Sequence, residues 1–218
     1  MNWLYPTKYS DRRGVELAEL RNDGRNLYVR LRGVSFSGSD FDALEPEADS
    51  PIDLLSQFTL WMGGLCDCTL DCEIPLSIVF ASETVASTLR VHLELGAPGA
   101  PNGGLDRELL ILSVEIGSQV YRSAGTDGFF ENGLLSLQST FPPSSYLKTC
   151  ISCAHSDYSP FGHGLFGGMA CFRTVKEQYA RVKNKQDLFR IWGEAERVQE
   201  TFLCSEFERR RPNTGYRG

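Results

Sequence analysis

The sequence predicts an α+β protein: an N-terminal antiparallel β-sheet or β-sandwich followed by a helical zinc-knuckle segment. Two observations predict it. Residues 1–125 alternate apolar and polar side chains with a period of two, as strands with one buried face do. Residues 126–218 change to helical spacing and carry a Cys-x-x-Cys pair followed by two further cysteines. We expect the β-rich region and the cysteine-bearing region to pack together as one compact unit.

The composition is typical of a globular protein and argues against some classes of function. The chain has 218 residues, of which 41% are hydrophobic and 23% charged, enough to bury a core without disulfides or metal. A net charge of −6 argues against non-specific nucleic-acid binding, which needs a basic surface. We see no signal-peptide pattern and no apolar run approaching 18 residues, so we expect a cytoplasmic protein that does not enter a membrane. In a reducing compartment its seven cysteines are metal ligands or core thiols.

The first predicted strands form a hairpin. Asn22-Asp23-Gly24 separates two apolar runs, 15–20 and 27–31, and an Asp-Gly pair favours the positive φ of a hairpin turn. The acidic stretch 37–56 that follows predicts a solvated loop with a short helical turn. An alternative is an acidic docking surface for a basic partner.

Three more segments of the first region have strand character: residues 57–61, 65–80 and 84–95. In the second of them, Cys66, Cys68 and Cys72 alternate with acidic residues, which predicts buried core thiols with carboxylates on the opposite face. A second metal site at these thiols is the alternative. Residues 109–120 predict a further strand, which forms a hairpin with 84–95 across the loop 96–104.

Helical spacing predicts three helices in the second region. Residues 129–140 place apolar side chains at i, i+4 and i+7, and Pro142-Pro143 ends the helix. Residues 171–183 predict a second helix that begins at a cysteine, and residues 188–192 continue the helical pattern. The stretch 198–207 is ambiguous.

The cysteines of the second region predict a metal site. Cys150 and Cys153 form a Cys-x-x-Cys turn, and Cys171 and Cys204 follow as single residues. Four thiolates are a typical ligand set for structural zinc. The usual second Cys-x-x-Cys pair is missing, so His155 and His163 remain rival ligands, with His163 able to replace one cysteine. An iron–sulfur cluster also takes four thiolates. A further alternative is that the four thiols bind no metal.

The number of ligands separates two functions. Four protein thiolates leave no open position, so the zinc would be structural. Three ligands plus water would allow hydrolysis, with Asp157, Glu200 or Glu206 as the general base. The basic tail, which includes Arg209, either stays solvated or folds back with Tyr216 and Arg217 as anchors. Asp157, Tyr158, Tyr216 and Arg217 form a candidate binding surface.

Several motifs together resemble a known family. They are Cys150-x-x-Cys153, Ser156-Asp157-Tyr158-Ser159-Pro160, Gly164-Leu165-Phe166-Gly167, Cys171-Phe172-Arg173 and the closing Gly215-Tyr216-Arg217-Gly218. The chain resembles a bacterial, largely actinobacterial, family of unknown function over nearly its whole length. The resemblance implies a bacterial cytoplasmic protein and no particular activity.

We therefore expect a zinc-linked binding or adaptor protein, with an immunity-like role compatible with its acidity and size, that engages a protein partner. The sequence contains no evident nucleophile–base pair. The alternative is a zinc-dependent, hydrolase-like enzyme with an open metal site near His163, Asp157 and Glu200.

Overall fold

The computed structural model describes residues 2–99, 104–126, 128–159, 164–212 and 215–216. Within these ranges the chain is mostly antiparallel strand with few helices. The strands are β1 (Trp3–Asp11), β2 (Gly14–Asn22), β3 (Leu27–Leu31), β4 (Val34–Gly38), β5 (Glu45–Pro46), β6 (Thr59–Trp61), β7 (Gly64–Cys66), β8 (Cys68–Phe80), β9 (Glu83–Leu95), β10 (Glu108–Ile116), β11 (Gln119–Arg122), β12 (Tyr146–Leu147), β13 (Ser156–Tyr158), β14 (Met169–Cys171) and β15 (Glu196–Val198). The helices are α1 (Ile52–Leu55), α2 (Phe130–Ser139), α3 (Lys176–Tyr179) and α4 (Lys185–Ile191). Among the described residues, no helix has both the length and the apolar character that crossing a bilayer requires.

One antiparallel sheet dominates the fold. Its strand order is β11-β10-β9-β8-β1-β2-β3-β4-β5, and β12 pairs with β8. The predicted hairpin is confirmed: β2 pairs with β3 across a turn in which Gly24 has a φ of +94°. The predicted pairing of 84–95 with the next strand is also confirmed by β9 and β10. That next strand is shorter than predicted, because it ends at Ile116 in a tight turn at Gly117 (φ +64°) and returns as β11.

The predicted burial pattern of β8 is confirmed. Cys68 and Cys72 face the core with the leucine and isoleucine residues of the same strand, and Cys66 is buried at the end of β7. Burial raises the pKa of the Cys72 thiol to about 12. These thiols therefore stay neutral at physiological pH and serve as small core side chains.

Strand β8 has an unpaired stretch in its middle. On one side it pairs with β1 as far as Cys72, and on the same side β12 joins it only at Ile78. The Ser77 carbonyl accepts a hydrogen bond from the Lys148 amide (2.8 Å), so the backbone polar groups of Ser77 point to the side on which β1 and β12 lie. Backbone polar groups alternate along a strand, so those of Pro75 point to the same side. Because proline has no N–H, the gap leaves no amide donor unpaired at that position.

The helix predictions are partly confirmed. Helix α2 matches the predicted 129–140 and packs so closely on the sheet that an added Cβ at Gly133 would lie 3.0 Å from Leu110 and Leu112. Helix α4 overlaps the predicted helical stretch 188–192, and the Asn184 side chain caps its first turn. The predicted helix over 171–183 is wrong. Cys171 ends strand β14, and α3 is only a four-residue helix.

The second region is therefore less helical than predicted. A three-stranded sheet, β13-β14-β15, forms its centre. The main core combines residues of both regions, including Phe36 and Cys171, while a smaller core forms around Phe172, Tyr179 and Leu188.

A buried amide pair connects the two regions. The side chain of Asn22 at the end of β2 and that of Gln199 after β15 donate to each other, and Gln199 Nε2 lies 2.6 Å from Asn22 Oδ1. Asn22 also donates to the Tyr5 hydroxyl (3.1 Å). A buried amide without a partner costs about 1–3 kcal/mol, so this pair strongly favours one placement of the C-terminal segment on the sheet.

An ion pair fixes the turn between β3 and β4. Arg32 has a φ of +46°, and its guanidinium forms two hydrogen bonds to Asp11, of 2.6 and 2.7 Å. The two side chains are 15% and 5% exposed. The Arg32 hydrogen bonds lower the pKa of Asp11 from 3.8 to about 2.

We predict that Asp11→Asn lowers the free energy of unfolding by about 2 kcal/mol at neutral pH. A carboxyl whose folded pKa is lowered stabilises the protein above its unfolded pKa and loses that contribution as the pH falls through the folded pKa. The difference between wild type and variant should therefore shrink between about pH 4 and pH 2. Urea denaturation at several pH values measures it, with the exposed Asp49→Asn as the control; a pH-independent difference would contradict the assignment.

Candidate functional site

The predicted Cys-x-x-Cys pair forms a tight turn. Residues Cys150–Ser152 make one turn of 3₁₀ helix, and the Cys153 amide donates to the Cys150 carbonyl (3.1 Å). Both cysteines are buried. The buried hydroxyl of Ser156 donates to the Cys150 and Cys153 carbonyls, which holds the turn closed.

The C-terminal segment returns to this turn. The Cys150 amide donates to the Phe202 carbonyl (2.7 Å) and the Ile151 amide to the Glu200 carbonyl (3.0 Å). On the other side of the turn, the Ala154 amide donates to the Glu208 carbonyl (2.7 Å). Cys204 lies between these contacts, so the backbone brings it to the Cys150 turn.

Strand β14 brings the fourth cysteine. Cys171 pairs with Ser156 on β13, and the amide of the next residue, Phe172, donates to the His155 carbonyl (2.7 Å). Three segments that are distant in sequence therefore meet at one place. We call Cys150, Cys153, Cys171 and Cys204 the thiol cluster.

The thiols of the cluster interact electrostatically. Burial, and then the neighbouring thiols of Cys153, Cys171 and Cys204, raise the pKa of Cys150. Burial also raises the pKa of Cys171, which the nearby Arg173 partly offsets. The Arg173 guanidinium pairs with Glu196, and its interaction with Cys204 contributes to its raised pKa.

The thiol side chains do not form a ready-made metal site. Among the described residues, no three His, Cys, Asp or Glu side chains are arranged to hold a metal ion. Rotation about χ1 moves a cysteine sulfur without moving its backbone.

The structure describes one of the two histidines that were predicted as rival metal ligands. His163 lies outside the described residues. His155 Nε2 lies 3.2 Å from the Glu208 carboxylate, and burial lowers the pKa of His155. Its ring therefore already contacts the C-terminal segment.

The acids predicted as general bases are placed in three different environments. Glu200 is fully buried and accepts hydrogen bonds from the Gly167 amide (2.8 Å) and the Gly168 amide (3.3 Å). Burial raises its pKa. Asp157 is also buried and accepts from the Tyr179 hydroxyl (2.8 Å). Glu206 is exposed and pairs with Lys176 (2.7 Å).

The expected binding surface needs correction. Asp157 and Tyr158 are 1% and 5% exposed, so neither side chain is available to a partner. Tyr216 is 42% exposed, and Arg217 lies outside the described residues. The described part of the tail does fold back: Arg210 donates to the Tyr179 hydroxyl (3.1 Å) and to the Ser156 carbonyl.

The carboxyl pair formed by Asp40 and Asp42 was not predicted from the sequence. Burial, and then the neighbouring carboxyl group of Asp42, raises the pKa of Asp40 to about 8. Asp40 lines a cleft of about 530 Å³ together with Trp192 and Arg197. In the sequence both acids belong to a charged run, and no local pattern distinguishes them from the solvated carboxylates around them.

The fold and the cluster describe a sheet-rich α+β protein in which four buried or half-buried thiols meet at a strand-and-turn junction. The model of a family of unknown function (DUF6304) matches residues 3–156, and the chain belongs to this family. The matched part contains the large sheet, α2 and the Cys150–Cys153 turn, while Cys171 and Cys204 lie beyond it. No curated protein and no solved structure matched the chain.

We predict that Gly215→Ala detaches the tail from Tyr179. Gly215 has a φ of +68°, and an added Cβ would lie 2.4 Å from the Tyr179 hydroxyl oxygen. The variant should lose about 1 kcal/mol of unfolding free energy, the usual scale of a strained glycine replacement. Gly193→Ala is the matched control, because nothing lies within 4 Å of its Cβ position. Equal unfolding free energies for the two variants would contradict the contact.

Proposed function

We propose that this chain is a zinc-linked binding or adaptor protein of the bacterial cytoplasm. Cys150, Cys153, Cys171 and Cys204 would hold one zinc ion. One observation supports this above all others: backbone hydrogen bonds join the turn, the strand and the C-terminal segment that carry these four residues. Residues that merely fill a core do not need to meet as a set of four thiols.

Zinc fits the chemistry of this ligand set better than the alternatives. Thiolates are soft ligands, and four of them fill a tetrahedral zinc shell, so the ion would be structural and would add no reactive group. It would join the turn, β14 and the C-terminal segment. An iron–sulfur cluster takes the same ligands and is separated from zinc by its colour and iron content.

The partner we infer is a basic protein surface. The acidic stretch at the β5 edge of the sheet exposes Glu45, Glu47, Asp49 and Asp53. Among them lies Ile52 on α1, which is 85% exposed. Exposed carboxylates attract a basic partner by electrostatic complementarity, as an immunity-like role would require.

The enzyme alternative has less support. A hydrolytic zinc site needs a base that faces a bound water. The Glu200 carboxylate already accepts two backbone amides, and Asp157 accepts the Tyr179 hydroxyl. Both acids thus have structural roles that account for their burial.

We predict one zinc per chain in protein purified without chelators from zinc-supplemented cells. Cys150→Ser and Cys204→Ser should each lose most of the metal, because a structural site needs all four thiolates. Cys72→Ala is the matched control and should keep its zinc, since Cys72 lies in the large sheet. Elemental analysis measures the metal, and circular dichroism checks that each variant is folded.

Three results would overturn the proposal. Wild-type protein without zinc would leave four unliganded thiols. Zinc retained at wild-type level in both Cys150→Ser and Cys204→Ser would exclude the thiol cluster as its site. Zinc lost from Cys150→Ser alone would exclude Cys204 and favour an open, three-ligand site.

A further inference from the structure

A cleft separates the large sheet from the C-terminal segment. Its volume is about 510 Å³, within the range of small-molecule sites. One wall consists of Pro75 and Leu76 on β8 with Ala86 on β9, and the opposite wall runs from β15 to Leu203. Sites at the junction of two structural units are a common place for ligands.

The sheet itself creates this cleft. Strand β1 separates from β8 after Cys72, and β12 joins only at Ile78, so the middle of β8 has no neighbouring strand on that side. Pro75 lies in this interval. A proline there prevents another strand from completing the ladder, since it offers no N–H. Pro75 therefore keeps this space open in the folded protein.

Aromatic side chains line the cleft. The rings of Trp3 and Phe202 meet edge to face, with centroids 5.8 Å apart and an interplanar angle of 68°. Tyr5 also lines the cleft, and its hydroxyl is engaged by Asn22. Faces and edges of such rings bind flat aromatic molecules by stacking and edge contacts.

The charged side chains of the cleft lining are each engaged by another group of the protein. Arg173 and Glu196 both line it, and they pair with each other. Arg197 directs its guanidinium to the carbonyl of Gly167 (3.2 Å), a residue outside the cleft lining. The hydroxyl groups of Ser77, Ser87 and Thr201 supply the remaining polar side chains that could orient a ligand.

We propose that this cleft binds one small, uncharged, planar aromatic molecule, stacked against Trp3 and Phe202. Arg173 and Glu196 neutralise each other, and Arg197 donates to a backbone carbonyl outside the lining, so the charged side chains are already engaged. Burying an ionised group beside them would require desolvation without a free counter-charge. The proposal does not depend on zinc, although the segment that forms one wall continues into Cys204.

Two fluorescent probes with the same rings test the proposal. N-phenyl-1-naphthylamine is uncharged, and 8-anilino-1-naphthalenesulfonate carries one sulfonate on the same ring system. We expect the uncharged probe to bind the wild-type protein saturably at one site per chain. We expect the sulfonate to bind at least about tenfold more weakly.

A matched pair of variants locates the binding site. Ala86→Phe places a ring in the cleft wall and should weaken binding of the uncharged probe by about tenfold or more. Thr84→Phe adds the same ring at an exposed position of β9 that does not line the cleft, and should change binding by less than about twofold. Thermal unfolding shows whether both variants are folded; if Ala86→Phe does not fold, Ser77→Phe replaces it.

Three results would overturn the proposal. The uncharged probe could fail to saturate on wild type. Both variants could bind it equally well. The sulfonate could bind as tightly as the uncharged probe, which would indicate an anion site.

Discussion

The fold of the second region depends on the return of the C-terminal segment to the Cys150 turn. Backbone hydrogen bonds from Cys150 and Ala154 to Phe202 and Glu208 join parts of the chain that are more than fifty residues apart. Closing so long a loop has an entropic cost, which local hydrogen bonds offset only in part. A zinc ion bound by the proposed thiol cluster would add stabilisation by cross-linking the two segments.

The large sheet provides the surface on which this region is placed. Gly133 lets α2 approach β10 closely, and the Asn22–Gln199 amide pair sets the position of the segment after β15. The gap in β8 at Pro75 then becomes a cleft, because the C-terminal segment passes opposite it without pairing. The cleft and the thiol cluster thus result from the same chain path, although they involve different chemistry.

Much of the sheet was predictable from the sequence, because long strands carry a long alternating pattern. Strands β8 and β9 each span 13 residues and show it clearly. Strand β1 was not predicted individually, although it lies between β8 and β2, because its inward positions include Tyr5, Thr7 and Tyr9 and no aliphatic residue. The three strands of the small sheet have three residues each, too few for any period to be visible.

The helix wrongly predicted over 171–183 shows what the spacing of apolar residues can and cannot identify. Phe172, Tyr179 and Val182 are buried, and Val175 is half-buried. Periodicity identifies the buried side chains, but it does not show that one helix continues through them. Similarly, the sequence pointed to the four cysteines as a set, whereas the burial of Asp40 and Glu200 depends on residues far away in the chain. No local pattern could have predicted it.

The central claim, that four cysteines bind one zinc ion, is tested most directly by zinc K-edge X-ray absorption of the purified protein. Our account predicts a first shell of four sulfur atoms at about 2.3 Å, with no nitrogen or oxygen neighbour. Such a shell would identify a closed, structural site. A shell with nitrogen or oxygen at about 2.0–2.1 Å would contradict the account, because a histidine or water would then have replaced a thiolate.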